Sequence, residues 1–115
     1  MQATLALNVV QKAELIAVPT PALCEMVWVL LRGYRYTPTQ VAHALRALMQ
    51  VSRVGCHTPA VLAGLALLDS GGDFADGVIA FEGDMLGGSE FVSFDQQAVK
   101  LLKTQKRKAR LLAAR

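Results

Sequence analysis

The chain is organised around the stretch from Gly71 to Asp95, which reads GGDFADGVIAFEGDMLGGSEFVSFD. Two glycines interrupt the chain before Asp73, a residue type that favours the N-cap of a helix. The apolar residues that partly suit one face of this helix are Phe74, Val78, Ile79, Met85 and Leu86. Two further glycines end the helix, and Glu90 to Phe94 has the pattern of a strand. The stretch therefore predicts a helix followed by a strand, with acidic residues at the start of the helix and directly after the strand.

Outside this stretch, helices and short strands alternate along the chain. Helices are predicted for residues 1–13, Pro21 to Leu31, Pro38 to Gln50, Pro59 to Leu68 and Gln96 to Lys103. Short apolar runs predict strands at Leu15 to Val18 and Ser52 to Cys56, while Ala109 to Leu112 suits either an edge strand or more helix. The alternation favours an α/β layered domain with a parallel sheet, whose ligands lie beyond the carboxyl ends of the strands.

Three of the predicted helices begin with a Thr-Pro pair, at Thr20, Thr37 and Thr58. Threonine is a favoured N-cap, and proline suits the first turn because its missing N–H costs nothing there. Gln40 is expected to complete a capping box with Thr37. The helical periodicity also predicts which side chains face the core. They are Val41, Ala44, Leu45, Leu48 and Met49 in one helix, Val61, Leu62, Leu65 and Leu68 in another, and Met26, Trp28 and Phe74 elsewhere.

Composition indicates one globular domain covering residues 1–115, since 53% of the residues are hydrophobic. The most apolar region, Leu15 to Leu31, contains two prolines and Glu25, so no uninterrupted span of ~20 apolar residues exists. The N-terminus has no basic segment before an apolar core, which argues against a signal peptide. We therefore expect a soluble cytoplasmic protein without a membrane span. Cys24 and Cys56 lack metal-ligand spacing and are expected to be buried free thiols.

The formal net charge of +3 is unevenly distributed along the chain. The C-terminal segment, residues 100–115, holds seven basic and no acidic residues, whereas residues 1–99 hold five basic and nine acidic ones. An acidic body suits a cation site, and a basic end suits a phosphate backbone. A solvated terminus that only aids solubility would have the same composition.

Three carboxylates from distant parts of the sequence are expected to converge at one edge of the sheet. Glu25 lies in the second turn of the helix after the first strand, and Asp95 directly follows the strand Glu90 to Phe94. Asp76 starts the helix that returns the chain to the amino end of that strand, a helix of ~13 residues and ~20 Å. Carboxylates in apolar surroundings need a proton, a partner or a cation, and Mg²⁺ and Mn²⁺ prefer such oxygen ligands. The pattern thus indicates a metal site that could activate water near a phosphate.

Each acidic residue also has a purely structural interpretation. Glu25 could pair with Arg32 or Arg35, and Asp73 could serve only as an N-cap. Asp76 could stabilise the helix dipole, and Asp95 could cap the last helix.

Three segments resemble PIN-domain ribonucleases, and among them the VapC-type toxins of bacterial toxin–antitoxin pairs. They are VPTPALCEMVWVLL (Val18 to Leu31), GGDFADGVIA (Gly71 to Ala80) and FVSFDQQAVKLL (Phe91 to Leu102). The resemblance implies a PIN-like three-layer α/β domain, with a short parallel sheet flanked by helices. It also implies Mg²⁺- or Mn²⁺-dependent RNA cleavage, a homodimer, and inhibition by a cognate antitoxin. By motif position it implies Glu25, Asp76 and Asp95 as metal-binding and catalytic acids, with Asp73 as an additional ligand and Ser93 as the small hydroxyl residue.

The resemblance fails at the N-terminus. PIN domains open with a central strand that ends in an Asp-Thr-Asn-like motif, but here Met1 falls inside the helix that should follow it, and no aspartate precedes Asp69. The N-terminal strand is therefore expected to be missing. A start codon assigned too far downstream would explain this, and so would a truncated remnant without full activity.

Three functional hypotheses follow from the sequence. The first is a metal-dependent endoribonuclease of the PIN class, in which Lys100, Lys103 and Arg107 guide the RNA substrate. The second is a truncated, non-catalytic PIN-like protein that retains a dimer or antitoxin-binding surface. The third is simple nucleic-acid binding by the basic end of the chain.

Overall fold

The computed structural model describes residues 2–12 and 14–112 of the chain. Its elements in chain order are α1 (Gln2–Lys12), β1 (Ile16–Ala17), α2 (Thr20–Arg32), α3 (Pro38–Met49), β2 (Val54–Gly55), α4 (Thr58–Asp69), α5 (Phe74–Met85), β3 (Phe91–Ser93), α6 (Gln96–Thr104) and β4 (Ala109–Leu111). Every helix predicted from the sequence is present, and the ambiguous segment near the C-terminus is a strand. The end of the predicted first helix, at residue 13, lies outside the described residues.

The four strands form two separate two-stranded sheets, both parallel. In the first sheet, Ile16 lies beside Val54, and its N–H donates to the carbonyl of Arg53 at 2.7 Å. In the second sheet, β3 pairs with β4 from Phe91 to Ser93. The α/β class and the parallel pairing were predicted correctly. A single short sheet was predicted, whereas within the described residues no strand bridges the two pairs.

Helices α4 and α5 make the closest helix–helix contact, because glycines let their backbones approach. A Cβ atom added to Gly77 of α5 would lie 2.4 Å from the carbonyl oxygen of Ala63 and 2.8 Å from the Cα of Gly64. A Cβ atom on Gly64 would lie 2.6 Å from the ring of Phe74. The fully buried Phe74 thus fills the space that Gly64 leaves open, which fixes where α5 begins relative to α4.

The buried side chains form two clusters, and α4 and α5 contribute to both. The larger cluster joins α2, α3, α4 and α5 through Leu23, Val27, Val41, Ala42, Leu45, Ala60, Val61, Leu65, Leu68, Phe74 and Val78. The smaller cluster joins α4, α5, α6 and β4 through Leu67, Ala80, Val99, Leu102 and Ala109. The buried apolar side chains therefore lie mainly between helices.

Several residues predicted to face the core are exposed instead. Leu62 of α4 is 53% exposed, and Ile79 of α5 is 56% exposed. Ile79 lies one position, or about 100° of helix rotation, beyond the buried Val78, so the narrow contact with α4 leaves it outside. The other exposed residues of this kind are Trp28, Ala44, Met85 and Leu86.

The Thr-Pro pairs behave differently at the three helix starts. Thr37 caps α3, since its hydroxyl accepts from the N–H of Gln40 at 3.1 Å and the Gln40 side chain accepts from the N–H of Thr37. The caps predicted at Thr20 and Thr58 are wrong, because both residues are already helical and neither α2 nor α4 has a side-chain cap bond. The side chain of Thr20 is instead buried.

Helices α4, α5 and α6 all end in a Schellman motif, in which two N–H groups after the helix bond back to its last turn. At the end of α5, the N–H of Gly87 donates to the carbonyl of Asp84, and the N–H of Gly88 donates to that of Gly83. The residue in the left-handed position is Gly71 after α4 (φ 90°), Gly87 after α5 (φ 93°) and Lys106 after α6 (φ 63°). Lysine is thus unusual at the third site.

None of the helices in the described part of the chain is both long and apolar enough to cross a membrane.

Candidate functional site

The N-terminus of α5 carries two of the predicted acidic residues and is held by short-range hydrogen bonds. The carboxylate of Asp73 accepts from the N–H of Ala75 at 3.2 Å and so caps the helix. The preceding turn is attached to α6, because the Gln97 side chain donates to the carbonyl oxygen of Gly71 at 3.0 Å. Asp76 lies in the first turn of α5 and lines the cavity at this junction.

Asp95 occupies the turn between β3 and α6. Its Oδ1 atom accepts from the N–H groups of Gln97 at 2.9 Å and Ala98 at 3.2 Å, which fixes the carboxylate at the start of α6. The N–H of Asp95 donates to the Ser93 hydroxyl at 2.9 Å. The capping roles considered for Asp73 and Asp95 are therefore both real, but each cap uses one carboxylate oxygen and leaves the second available.

These aspartates line one cavity of about 360 Å³ between α2, the start of α5 and the start of α6. The sequence predicted that Glu25, Asp76 and Asp95 converge, whereas the residues that share this cavity are Asp73, Asp76 and Asp95. The residues of α2 in the cavity wall include Cys24, Trp28 and Arg32. They recur every four positions along the helix and thus share one face.

Glu25 is exposed and is not among the residues that line this cavity. Around the axis of α2 it lies about 60° from Trp28 and about 20° from Arg32, so it is at the edge of the lining face. It forms no ion pair with Arg32 or Arg35, the alternative considered from the sequence. The structure therefore brings together two of the three predicted catalytic acids, and adds Arg32 and Trp28, which the sequence had not indicated for the site.

Asp76 carries the least compensated charge of the site. Its pKa is raised from the ordinary value, first because partial burial disfavours the charged carboxylate, and then because Asp73 and Asp95 are negative. Within residues 2–12 and 14–112 it forms no hydrogen bond and no ion pair. A cation bound beside Asp76 would offset both the burial of its charge and the repulsion from Asp73 and Asp95.

Cys24 is a half-buried free thiol in the same wall, and Cys56 is also free and half-buried. Burial raises the pKa of the Cys24 thiol, and the negative charges of Asp73 and Glu82 raise it further. A thiol with a raised pKa is a poor nucleophile at neutral pH. The cavity is thus suited to carboxylate chemistry and not to thiol chemistry.

The carboxylates match the donor preference of Mg²⁺ or Mn²⁺, but they do not form a complete ligand set. In the part of the chain that the structure describes, no three His, Cys, Asp or Glu side chains lie close enough to hold a metal ion together. Glu25, Asp76 and Asp95 are therefore not assembled around one point. Mg²⁺ commonly keeps several waters and binds one or two carboxylates together with substrate phosphates. Asp76 and the free oxygen of Asp95 fit that role.

None of the three basic residues predicted to guide RNA lines this cavity. Lys100 and Lys103 are exposed on α6, and Arg107 forms an ion pair with Asp84 at the other end of α5. Asp84 lies roughly 12 Å along the helix from Asp76, at 1.5 Å per residue. Arg107 therefore lies at the opposite end of α5 from the acidic cavity, whereas Lys100 follows the cavity residue Gln97 by about one turn of α6.

The raised pKa of Asp76 predicts a pH-dependent effect of the substitution Asp76→Asn in metal-free solution. The folded state binds this proton more tightly than the unfolded state, so the destabilising contribution of Asp76 is absent below its unfolded pKa and complete above its folded pKa. We expect the variant to match the wild type at about pH 3 and to be more stable at pH 7, by no more than about 0.5 kcal/mol because solvent screens this half-exposed carboxylate. Urea unfolding of both proteins across this range measures the difference, and a variant that is less stable at pH 7 would contradict it.

Comparison with known proteins gave no match among family models, curated proteins or solved structures.

Proposed function

We propose that the chain is a Mg²⁺- or Mn²⁺-dependent endoribonuclease of the PIN class. The observation that supports this most directly is the half-buried Asp76, whose carboxylate has no partner among the described residues and shares one cavity with the negative Asp73 and Asp95. A divalent ion is the partner that such a group of oxygen donors favours. The family resemblance of the same residues, described above, supplies the substrate class.

Asp76 and Asp95 would hold the metal ion, with Asp73 adding negative potential nearby. The ion would supply a water of lowered pKa and stabilise the charge that develops on a phosphate. Arg32 lines the same cavity and has no ion-pair partner among the described residues, so it can bind a phosphate oxygen. Trp28 is 62% exposed at the cavity wall and offers an indole face for stacking of an unpaired base.

Two measurements on the full chain test this proposal. Single-stranded RNA should be cleaved with Mg²⁺ or Mn²⁺ and left intact when a chelator replaces the metal. Independently of activity, Mn²⁺ should stabilise the fold by about 2.7 kcal/mol at 100 times its dissociation constant, because it binds only the folded state. Asp76→Asn should remove this stabilisation. Thermal unfolding that is unchanged by millimolar Mn²⁺ would contradict the proposal.

The second candidate is a non-catalytic PIN-like protein that acts through a dimer or antitoxin-binding surface. It is favoured by the position of Glu25 outside the cavity and by the incomplete set of metal ligands. Homodimer formation, an antitoxin partner and a cytoplasmic location belong to both candidates and are equally proposals. Calorimetry separates the two, because the second candidate predicts no Mn²⁺ binding even at millimolar metal.

A further inference from the structure

A second cleft, with a volume of about 570 Å³, lies at the opposite end of α5 from the acidic cavity. Three segments form its walls: the C-terminal half of α5, the segment from Gly88 to Val92, and the turn from Lys106 to Lys108 that joins α6 to β4. The volume falls within the ~300–1,000 Å³ typical of small-molecule sites. One side is apolar, with Ile79 and Phe91, and the other side is strongly charged.

The charged side has two positive groups that nothing in the described structure neutralises. Both acidic residues of the wall are already paired, Asp84 with Arg107 and Glu90 with Arg110, the latter at 3.2 Å. Lys106 and Lys108 form no ion pair or side-chain hydrogen bond within the described residues. The cleft therefore combines two uncompensated ammonium groups with an apolar wall, which is the arrangement expected for an anion that carries a flat apolar group.

The backbone conformation of Lys106 is a second, independent indication. Lys106 takes the left-handed position of the Schellman motif that ends α6, with φ 63°, and its N–H donates to the carbonyl of Lys103 at 3.0 Å. The corresponding motifs of α4 and α5 place glycine there, at Gly71 and Gly87. A side chain in this conformation costs free energy that glycine avoids. Lys106 therefore carries a conformational cost at a position that lines the cleft.

We propose that this cleft binds a nucleotide, with its phosphate at Lys106 and Lys108 and its base against Ile79 and Phe91. The donors at the phosphate would be the two ammonium groups and the backbone N–H groups of Ser89 and Glu90. These two N–H groups have no acceptor among the described residues. The nucleotide can be a free mononucleotide or the end of an RNA strand, since both present the same phosphate. The proposal does not depend on metal binding or on cleavage.

The experiment is a calorimetric titration of the full chain with AMP, in a chelator so that the acidic cavity plays no part. A second titration uses a short single-stranded RNA with a 5′ phosphate. Lys106→Gly should weaken the binding of the nucleotide about tenfold, the size of one charge-assisted hydrogen bond, while it raises the melting temperature by roughly 2–6 °C. Lys108→Gln should weaken binding similarly without the gain in stability.

Arg35→Gly is the matched control. Arg35 has φ 57° and a positive charge, like Lys106, but it does not line the cleft. The substitution should raise the melting temperature and leave nucleotide affinity unchanged.

Binding of AMP would identify a free nucleotide as the ligand, and binding of the RNA alone would identify a strand end. The proposal is overturned if neither binds at up to about 5 mM, where affinities of biological use are detectable. It is also overturned if inorganic phosphate binds as tightly as AMP, or if Arg35→Gly weakens binding as much as Lys106→Gly.

Discussion

Replacing Asp76 with asparagine should reduce metal-dependent RNA cleavage by at least about 100-fold while the chain stays folded. Asparagine is nearly isosteric but lacks the negative charge that would hold a divalent ion, and loss of one such electrostatic contact costs about 10²–10³ in rate. The fold should not suffer, because Asp76 makes no hydrogen bond or ion pair with the described residues. Single-turnover cleavage and circular dichroism measure the two effects.

Two further variants, Asp95→Asn and Glu25→Gln, test which of the other acids contribute to the activity. Asparagine caps a helix as well as aspartate does, so Asp95→Asn keeps the bonds to Gln97 and Ala98 and should lose activity without unfolding. Glu25→Gln decides between the sequence motif, which makes Glu25 a ligand, and the geometry, which places it outside the cavity. We expect it to retain most of the activity. Normal cleavage by both aspartate variants would refute the nuclease mechanism.

Gly77→Ala should destabilise the protein by about 3 kcal/mol, at the upper end of the cost of overpacking a core. The new Cβ atom would lie 2.4 Å from a carbonyl oxygen and 2.8 Å from the Cα of Gly64. Both are backbone atoms, which cannot move aside as a flexible side chain can, so α4 and α5 would have to separate. Equilibrium unfolding in urea measures the loss.

Gly83→Ala in the same helix is the control for Gly77→Ala. A Cβ atom at Gly83 meets nothing within 4 Å. Because alanine favours the helical conformation over glycine, this change should stabilise the fold by about 0.5–1 kcal/mol. If the two variants are equally stable, the close packing of α4 on α5 does not stabilise the fold as we describe.

Local features of the fold were predictable because their signals are contained in a few neighbouring residues. The caps at Thr37, Asp73 and Asp95 need only an oxygen acceptor placed before free N–H groups. Gly87 was recognisable as a helix end because glycine alone adopts its φ without cost. The positions of the helices and strands follow from such signals together with hydrophobic periodicity.

Which side of each helix is buried was harder to predict, since this depends on the elements against which the helix packs. Gly64 and Gly77 make the α4–α5 contact so narrow that Leu62 and Ile79 remain outside it. The same uncertainty affects the candidate site. Glu25 lies at the edge of the face of α2 that lines the cavity, so a small rotation of α2 decides whether it faces the aspartates. The sequence pattern of α2, apolar on nearly all sides, cannot specify that rotation.

The division of the strands into two parallel pairs implies a gradient of local opening along the chain. A two-stranded ladder is marginal in water by itself, and the pairs contain only two and three residues per strand. Amide protons of β1 and β3 are therefore held by few bonds, whereas those in the middle of α4 and α5 are enclosed by both hydrophobic clusters. The amides of the helical pair should exchange with solvent only when the whole molecule unfolds, and those of the strands through smaller and more frequent fluctuations.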